Sequence, residues 1–507
     1  MSIRFGFLLL ILLLINACGP SGSSGPTAAE LLPLCPEFSE TGKPPLVHRA
    51  RCGRLNVPLN PADSDGEKLQ IQVLLLPAIH PAPKKDPLVL IAGGPGQSAI
   101  KLAQQLHYTF DQVRKERDLL FIDQRGTGQS HPIDCPQLKN FSQTLPAASQ
   151  EEDLHKALRA CVAEMGDRML FFTTPYAVED LEAVRQQLGY SQFNLWGVSY
   201  GTRVALAYQQ RYPRFVRTSV LDGVAPLSLA LPWHAEADAL AALEKLDEDC
   251  AAHGECRRRY GELRALAEQV ADKLLEQSIV VSIEHPLTRL PYEVEVTTAV
   301  FASALRMGLY SRDLARVLPL AIHNAAQEDF ELIVSLLALA ESRNSFSDIS
   351  MGMHYTVICN EDYPHYVKRN NEQSQVFLHA HLVEGMKKIC DFWPRAELPA
   401  DYLTNFSSDT PTLLLSGARD PVTPPRWAEV LMPRLSNTLH LVAPGGHHSI
   451  SLEGCSSELI AHFIQLGDTR DLDGSCIARI KPMSPYLGVD KEALDALSAG
   501  STEGEAP

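Results

Sequence analysis

The sequence predicts an α/β fold: a mostly parallel sheet flanked by helices and carrying a large helical insertion. Three features predict it. Short apolar runs bounded by turn residues recur through the first 225 residues, amphipathic stretches alternate with them, and the same rhythm returns near residue 412 after a long helical gap. The runs at residues 69–76, 87–92 (PLVLIA) and 118–123 (DLLFID) are short, apolar and β-prone, and the second and third read as buried strands. Residues 177–188 follow as a helix, with Val178, Leu181, Val184 and Leu188 three or four positions apart on one face. A strand at 193–198, a helix at 202–210 and a strand at 215–221 complete the first part. From residue 226 long helical stretches take over (233–252, 261–277, 311–340) and strand candidates become few. Strands resume at 412–416 (TLLLS) and 438–443 (TLHLVA), with a helix near 458–466. Residues 31–225 and 409–490 therefore read as two parts of one core, and residues 226–408 as a helical cap over the sheet's C-terminal edge. The tail at 491–507 is small and acidic towards its end and is expected to be disordered from about residue 499.

Composition narrows the function. At 45% apolar and 21% charged residues the 507-residue chain resembles ordinary globular proteins, which excludes wholesale disorder and a polytopic membrane protein. A net charge of −16 disfavours attraction to phosphate backbones, so no nucleic-acid partner is expected. At the N-terminus Arg4 precedes an apolar run at residues 5–15, too short to span a bilayer comfortably and suited to a signal peptide. The run ends in Ala17-Cys18, which resembles the lipobox of bacterial lipoprotein precursors. That resemblance implies a signal peptide at 1–17, lipidation of Cys18 and a flexible tether at 18–30 (GPSGSSGPTAA after the cysteine). Gly19 after the cysteine points to the outer membrane of the cell envelope, facing the periplasm, with membrane contact through the lipid anchor only. Export makes the other ten cysteines disulfide candidates. Their order suggests pairing of neighbours: Cys35–Cys52, Cys135–Cys161, Cys250–Cys256, Cys359–Cys390 and Cys455–Cys476. The competing reading, zinc held by Cys250, Cys256 and His253, lacks paired CxxC or HExxH spacing.

The chemistry is concentrated after the strands. Gly197-Val198-Ser199-Tyr200-Gly201 is GxSxG between a strand and a helix, where a sharp turn exposes the serine hydroxyl and leaves room only for glycine beside it. A serine needs a base and an acid that orients the base, in the order Ser, Asp, His for this fold. Asp420 follows the TLLLS strand, with Asp222 as the second candidate acid. The base comes from the adjacent pair His447-His448. His448 is favoured because Pro444 stands four residues before it, a spacing often seen in hydrolases of this fold, and His447 is the alternative. Gly93-Gly94-Pro95-Gly96, after PLVLIA, offers backbone donors for a developing oxyanion; Gly94 N–H and Tyr200 N–H are assigned, with Gly93 close behind. The loop lacks the GxGxxG and GK[ST] patterns of phosphate binders.

Together GGPGQS (93–98), DQRGTGQS (123–130), WGVSYGTRVALAY (196–208), LDGV (221–224), SGARDPVTP and GGHHSISLEGC resemble the prolyl iminopeptidase and tripeptidyl aminopeptidase family of α/β hydrolases over most of the mature chain. Ala92, where many relatives carry histidine, and His447, where glycine is usual, depart from the pattern. The resemblance implies a serine aminopeptidase that removes a single proline or a short peptide from free N-termini through an acyl-enzyme. No metal or organic cofactor is implied. Such an enzyme needs an anion for the substrate ammonium, and Val357-Ile358-Cys359-Asn360-Glu361-Asp362 resembles the family's acidic element, making Glu361 the candidate anchor and Asp362 the second choice. Two other readings keep the motifs: an esterase or amidase acting on a non-peptide substrate, and a lipoprotein that binds without turnover.

Overall fold

The computed structural model describes residues 26–35, 49–63, 65–135, 138, 151–231, 233–343, 349–368, 376–402 and 406–488. The expected signal peptide, Cys18 and the tail from 491 lie outside the described residues. The strands are β1 (Arg51–Pro58), β2 (Lys68–Leu76), β3 (Leu88–Ile91), β4 (Leu119–Ile122), β5 (Phe193–Val198), β6 (Val216–Asp222), β7 (Ile279–Glu284), β8 (Pro291–Val296), β9 (Thr412–Gly417) and β10 (Thr438–Ala443). Eight of them form one sheet in the order β1-β2-β4-β3-β5-β6-β9-β10. β2 runs antiparallel to β1 and β4, and every other neighbouring pair is parallel.

Every residue of β3, β4 and β9 is buried, the consequence of helices covering both faces of a parallel sheet. Strand alternation sorts the side chains. Val89, Ile91, Leu120 and Ile122 pack with the helices Thr174–Gln187 and Tyr200–Arg211 on one face, while Leu88, Leu90, Leu119 and Phe121 pack with Ala99–Leu106 and Ser456–Leu466 on the other. Each fully buried Leu or Phe contributes about 1.5–3 kcal/mol. The Asp-Gln-Arg-Gly motif turns out to be scaffolding. Arg125 is buried, holds Asp180 through two hydrogen bonds of 2.7 and 2.6 Å, and donates to the carbonyls of Leu59 and Phe171. Asp123 accepts from Ser98 Oγ at 2.7 Å and from the N–H of Ile100 at 3.0 Å, fixing the chain just after the GGPG loop.

The insertion differs from expectation in three ways. It contains an antiparallel hairpin, β7–β8, whose alternating exposure identifies it as a strand pair with one wet face. The stretch expected as one helix at 311–340 is three, Arg312–Ala315, Leu318–Ala326 and Glu331–Arg343, with Pro319 in the first turn of the second. The block also splits between two cores. Ala239, Leu243, Val270, Phe301 and Leu337 form a core of their own, whereas Met353, Val357, Cys359 and Trp393 pack into the core of the sheet. At the other end, a short helix at Ala28–Leu31 buries Ala28, and Leu32 beyond it packs on the sheet core as well. The ordered fold thus begins before the tether's expected end.

Five disulfides join the neighbours in sequence: Cys35–Cys52, Cys135–Cys161, Cys250–Cys256, Cys359–Cys390 and Cys455–Cys476. Cys250 and Cys256 are therefore not available as zinc thiolates. Among the described residues no helix is long and apolar enough to cross a membrane.

Candidate active site

Ser199 sits between β5 and the helix Tyr200–Arg211 with φ 55° and ψ −127°, a backbone conformation that costs a non-glycine residue of order 1–3 kcal/mol. The flanking glycines make the turn possible. A Cβ on Gly197 would lie 2.4 Å from the Gly201 carbonyl oxygen, and one on Gly201 would lie 2.3 Å from that of Ile91. Ser199 N–H donates to the Asp222 carbonyl at 2.9 Å, and its own carbonyl accepts from Thr202 Oγ1 at 2.5 Å. The turn is therefore held from both sides.

Asp420 and His448 meet as the sequence predicts. His448 Nδ1 lies 2.8 Å from Asp420 Oδ2, and Asp420 also accepts from Val422 N–H (2.8 Å), Thr423 N–H (2.9 Å) and Thr423 Oγ1 (2.8 Å). Burial alone would raise the Asp420 carboxyl, but His448 and the Thr423 donors hold it below the usual carboxylate range. Burial likewise opposes charge on His448, and the Asp420 carboxylate outweighs it, raising the imidazole above its ordinary value. The two histidines take separate places. His447 is buried with Nδ1 2.6 Å from the Leu309 carbonyl, and burial pushes its pKa down. Of the adjacent pair, only His448 is bonded to Asp420 among the described residues.

Asp222 has a different task from the one the second-candidate reading gave it. Its carboxylate accepts from Ser449 Oγ (2.8 Å) and from the N–H groups of Ile450 (2.9 Å) and Ser451 (2.8 Å). It clamps the loop after His448, while its main chain holds Ser199. The next residue, Gly223, runs beside the imidazole, so that a Cβ there would lie 3.3 Å from His448 Cε1. Ser199 and His448 thus border the same two-residue segment.

On the other flank, a Cβ on Gly93 would stand 3.1 Å from Ser199 Cβ. Gly93 N–H donates to Gln97 Oε1 at 3.3 Å, whereas Gly94 N–H meets no acceptor among the described residues. Of these two donors, Gly94 N–H is the one without a protein acceptor among the described residues, and Tyr200 begins the helix that follows Ser199.

Glu361 and Asp362 lie in a π-helical turn, Ile358–Asp362, and neither is open to solvent. Glu361 accepts from Thr174 N–H (2.7 Å), Thr174 Oγ1 (2.8 Å) and Tyr402 OH (2.7 Å). Thr174 Oγ1 lies 2.5 Å from Tyr200 OH, which connects the acid to the residue after Ser199. Asp362 Oδ1 accepts from Arg203 at 2.9 Å, while its Oδ2 is buried without a hydrogen-bond partner among the described residues. Burial raises both carboxyls, Asp362 to about 7, against the pull of the single Arg203 cation. Sequence reading missed Thr423, Thr174, Tyr402 and the clamping role of Asp222. Thr423 stands inside the SGARDPVTP segment and was within reach, but Thr174 is 187 residues from Glu361 and leaves no local signal.

A nucleophile on a strained turn, an acid-held imidazole and backbone donors beside them are the parts needed for acyl transfer. Known proteins agree at the level of fold. A profile described as alpha/beta hydrolase fold matches residues 86–312, and one described as TAP-like protein matches residues 374–476. The chain is 25% identical over 459 residues to the serine protease Hip1 of Mycobacterium tuberculosis, covering 84% of this chain and 87% of that one. It is 26% identical over 218 residues to the tripeptidyl aminopeptidase of Streptomyces lividans, covering 40% and 39%. A probable proline iminopeptidase of Streptomyces coelicolor is 32% identical over 143 residues, 28% of this chain and 34% of that protein. With its eight-stranded, mostly parallel sheet and these two profiles, the chain has the alpha/beta hydrolase fold, and residues 374–476 resemble the TAP-like proteins.

Proposed function

We propose that this hydrolase is a serine aminopeptidase that acts through an acyl-enzyme on peptides with a free N-terminus. The observation that carries the reading is the strained Ser199 set between an Asp420-held His448 on one side and a buried pair of acids, reached through Tyr200 and Thr174, on the other. Ser199 Oγ attacks the scissile carbonyl and His448 Nε2 takes its proton. The tautomer is set by Nδ1–H donating to Asp420. Gly94 N–H and Tyr200 N–H receive the oxyanion. His448 returns the proton to the departing amine, and water then hydrolyses the ester.

The acids supply the preference for a free amine. Glu361 and Asp362 share one cation, Arg203, and burial raises both carboxyls, so a substrate ammonium would supply the second cation that favours their charged forms. Asp362 Oδ2 is the open acceptor, and Glu361 the acid linked to Tyr200. A second reading, an esterase or amidase acting on a non-peptide substrate, is favoured by one observation: Glu361 already has three protein donors and no exposed surface.

The deciding experiment compares wild type with Ser199→Ala on proline and Ala-Ala-Pro amides with free amines, the same compounds N-acetylated, and a short acyl ester. Serine-dependent cleavage confined to free amines supports the aminopeptidase, and the fragment released separates single-residue from tripeptide removal. Turnover of the ester alone moves the reading to esterase, and no serine-dependent turnover leaves a binding protein.

Export belongs to the same proposal, with the protein held in the cell envelope by lipid on Cys18, at the outer membrane and facing the periplasm. Five disulfides support an oxidising compartment. Mass spectrometry of the mature N-terminal peptide should find lipid on Cys18; an unmodified cysteine or an intact leader would refute the anchor.

A further inference from the structure

The leaving-group side of the site is defined by His448, because the imidazole must stand beside the nitrogen to which it returns the proton. What the insertion places next to that imidazole therefore meets the departing fragment. The insertion's helix Thr298–Tyr310 ends there. Tyr310 carbonyl accepts from His448 N–H at 3.2 Å, and the Tyr310 ring stands edge-on to the imidazole with centroids 5.0 Å apart. One turn earlier on the same helix, Arg306 lies against the Tyr310 ring, its guanidinium carbon 5.4 Å from the ring centroid.

Arg306 is the insertion's cation nearest this ring, and it differs from the arginines that brace the core. Arg125, Arg203, Arg419 and Arg426 all hold carboxylates. Arg306 has no carboxylate within ion-pair distance among the described residues, and its Nε is buried without a hydrogen-bond partner. A half-buried guanidinium with an orphaned Nε has a donor to offer, and a planar carboxylate is the group that meets a guanidinium best. Its field already reaches the site, since it opposes the positive charge on His448.

We propose that Arg306 is a specificity-determining residue that receives a carboxylate of the departing fragment, either an acidic side chain at its first residue or the free C-terminus of a short peptide. The proposal rests on the acyl-transfer reading of Ser199 and adds the substrate's other end. The acids at Glu361 and Asp362 would face the ammonium, and Arg306 the carboxylate, so the charges of a short zwitterionic peptide would run in one direction through the site.

The test uses Ala-Ala-Ala followed by Glu-amide, Gln-amide, Ala-amide or Ala with a free carboxylate, together with Ala-Ala-Ala p-nitroanilide. Each is measured with wild type, Arg306→Gln and Arg306→Lys. Wild type should favour the Glu-amide over the Gln-amide, the free-carboxylate peptide over its amide, or both, by about tenfold in kcat/KM, mostly through KM. The two comparisons separate a side-chain carboxylate from a C-terminal one. Arg306→Gln should bring each preferred pair to within about twofold while leaving p-nitroanilide cleavage in place, and Arg306→Lys should keep part of the preference. A parallel measurement forms the acyl-enzyme from a p-nitrophenyl ester and lets Glu-amide and Gln-amide compete with water for it, which reads the same subsite without peptide cleavage. Equal treatment of charged and neutral partners by wild type in both measurements, or a preference that survives Arg306→Gln, would overturn the proposal. Uncut peptides with a preserved Glu-amide preference in the ester measurement would instead overturn the aminopeptidase reading and leave Arg306 in its role.

Discussion

Asp420 and the pair Glu361–Asp362 are hidden from water to the same degree, at 2%, 0% and 1% exposure, yet their carboxyls are shifted in opposite directions. Asp420 has a histidine to itself and three further donors from Val422 and Thr423, and its carboxyl lies below the usual range. Glu361 and Asp362 divide one arginine between them, and both are raised. Burial penalises all three, so the supply of partners decides the outcome. One region is complete and holds an imidazole ready for proton transfer. The other has one cation for two acids, and a second cation would favour their charged forms.

Neutralising each acid beside the imidazole in turn should separate their roles. Asp420→Asn should lower kcat by about 10⁴-fold by presenting the wrong tautomer of His448. Asp222→Asn removes acceptors from the His448 loop instead, costing about 1–3 kcal/mol of stability with a far smaller loss of activity. Equal losses of kcat in the two variants would mean that the acid has been misassigned.

Next in size is the effect on pH. Attack requires neutral His448, and Asp420 raises the imidazole above its ordinary 6.5. The acid limb of kcat/KM should therefore inflect above 6.5 in the wild type and move to lower pH in Asp420→Asn, where burial is no longer opposed by the carboxylate. An unmoved limb in the variant would show that another group controls it. The ion pair also bears on stability, with opposite signs for its two members. The His448 contribution is present below pH 6.5 and fades as pH rises through the higher folded value, and that of Asp420 is present above 3.8 and fades as pH falls through the lower folded value.

The incomplete region should respond to substrate rather than to chemistry. Glu361→Gln should reduce cleavage of free-amine peptides about ten- to a hundredfold more than that of N-acetylated esters, the range for loss of one charged hydrogen bond. Equal reductions on both would assign Glu361 to scaffolding alone. Asp362 offers a stability readout. Its pKa is raised from 3.8 to about 7, so its contribution is greatest below pH 3.8 and is lost as pH rises through about 7. Urea unfolding of Asp362→Asn across that window should show a flatter pH dependence than the wild type, and parallel curves would contradict the raised value.

The smallest difference concerns the bridges. Cys359–Cys390 closes 31 residues and anchors the turn that carries Glu361, whereas Cys250–Cys256 closes 6 residues within the insertion's own core. Replacing each pair with alanine should cost about 3–4 and about 2 kcal/mol respectively by chain entropy. Only the first should also disturb free-amine specificity.

Much of this molecule is legible in linear order because its signals are local. Strands β5 and β10 lie where their apolar runs place them, GxSxG predicts a strained turn at Ser199, and neighbouring cysteines pair across short loops. Where local signals conflict, reading fails. β1 has no clear strand signal because Arg, Gly and Asn interrupt its alternation, and the β7–β8 hairpin is masked by the helix-rich block around it. Pro319, tolerated only in a helix's first turn, separates the helices Arg312–Ala315 and Leu318–Ala326 where apolar periodicity alone reads one.

The order of elements, the reactive residue types and the placing of Ser, Asp and His after strands of one parallel sheet follow from residues a few positions apart, and all are legible along the chain. Packing settles which histidine meets Asp420, the binding of Asp222 to the loop after His448, and the sharing of Arg203 by Glu361 and Asp362. Those outcomes depend on distances between segments separated by 28, 228 and 159 residues, and partner supply at that range is a property of the packed chain.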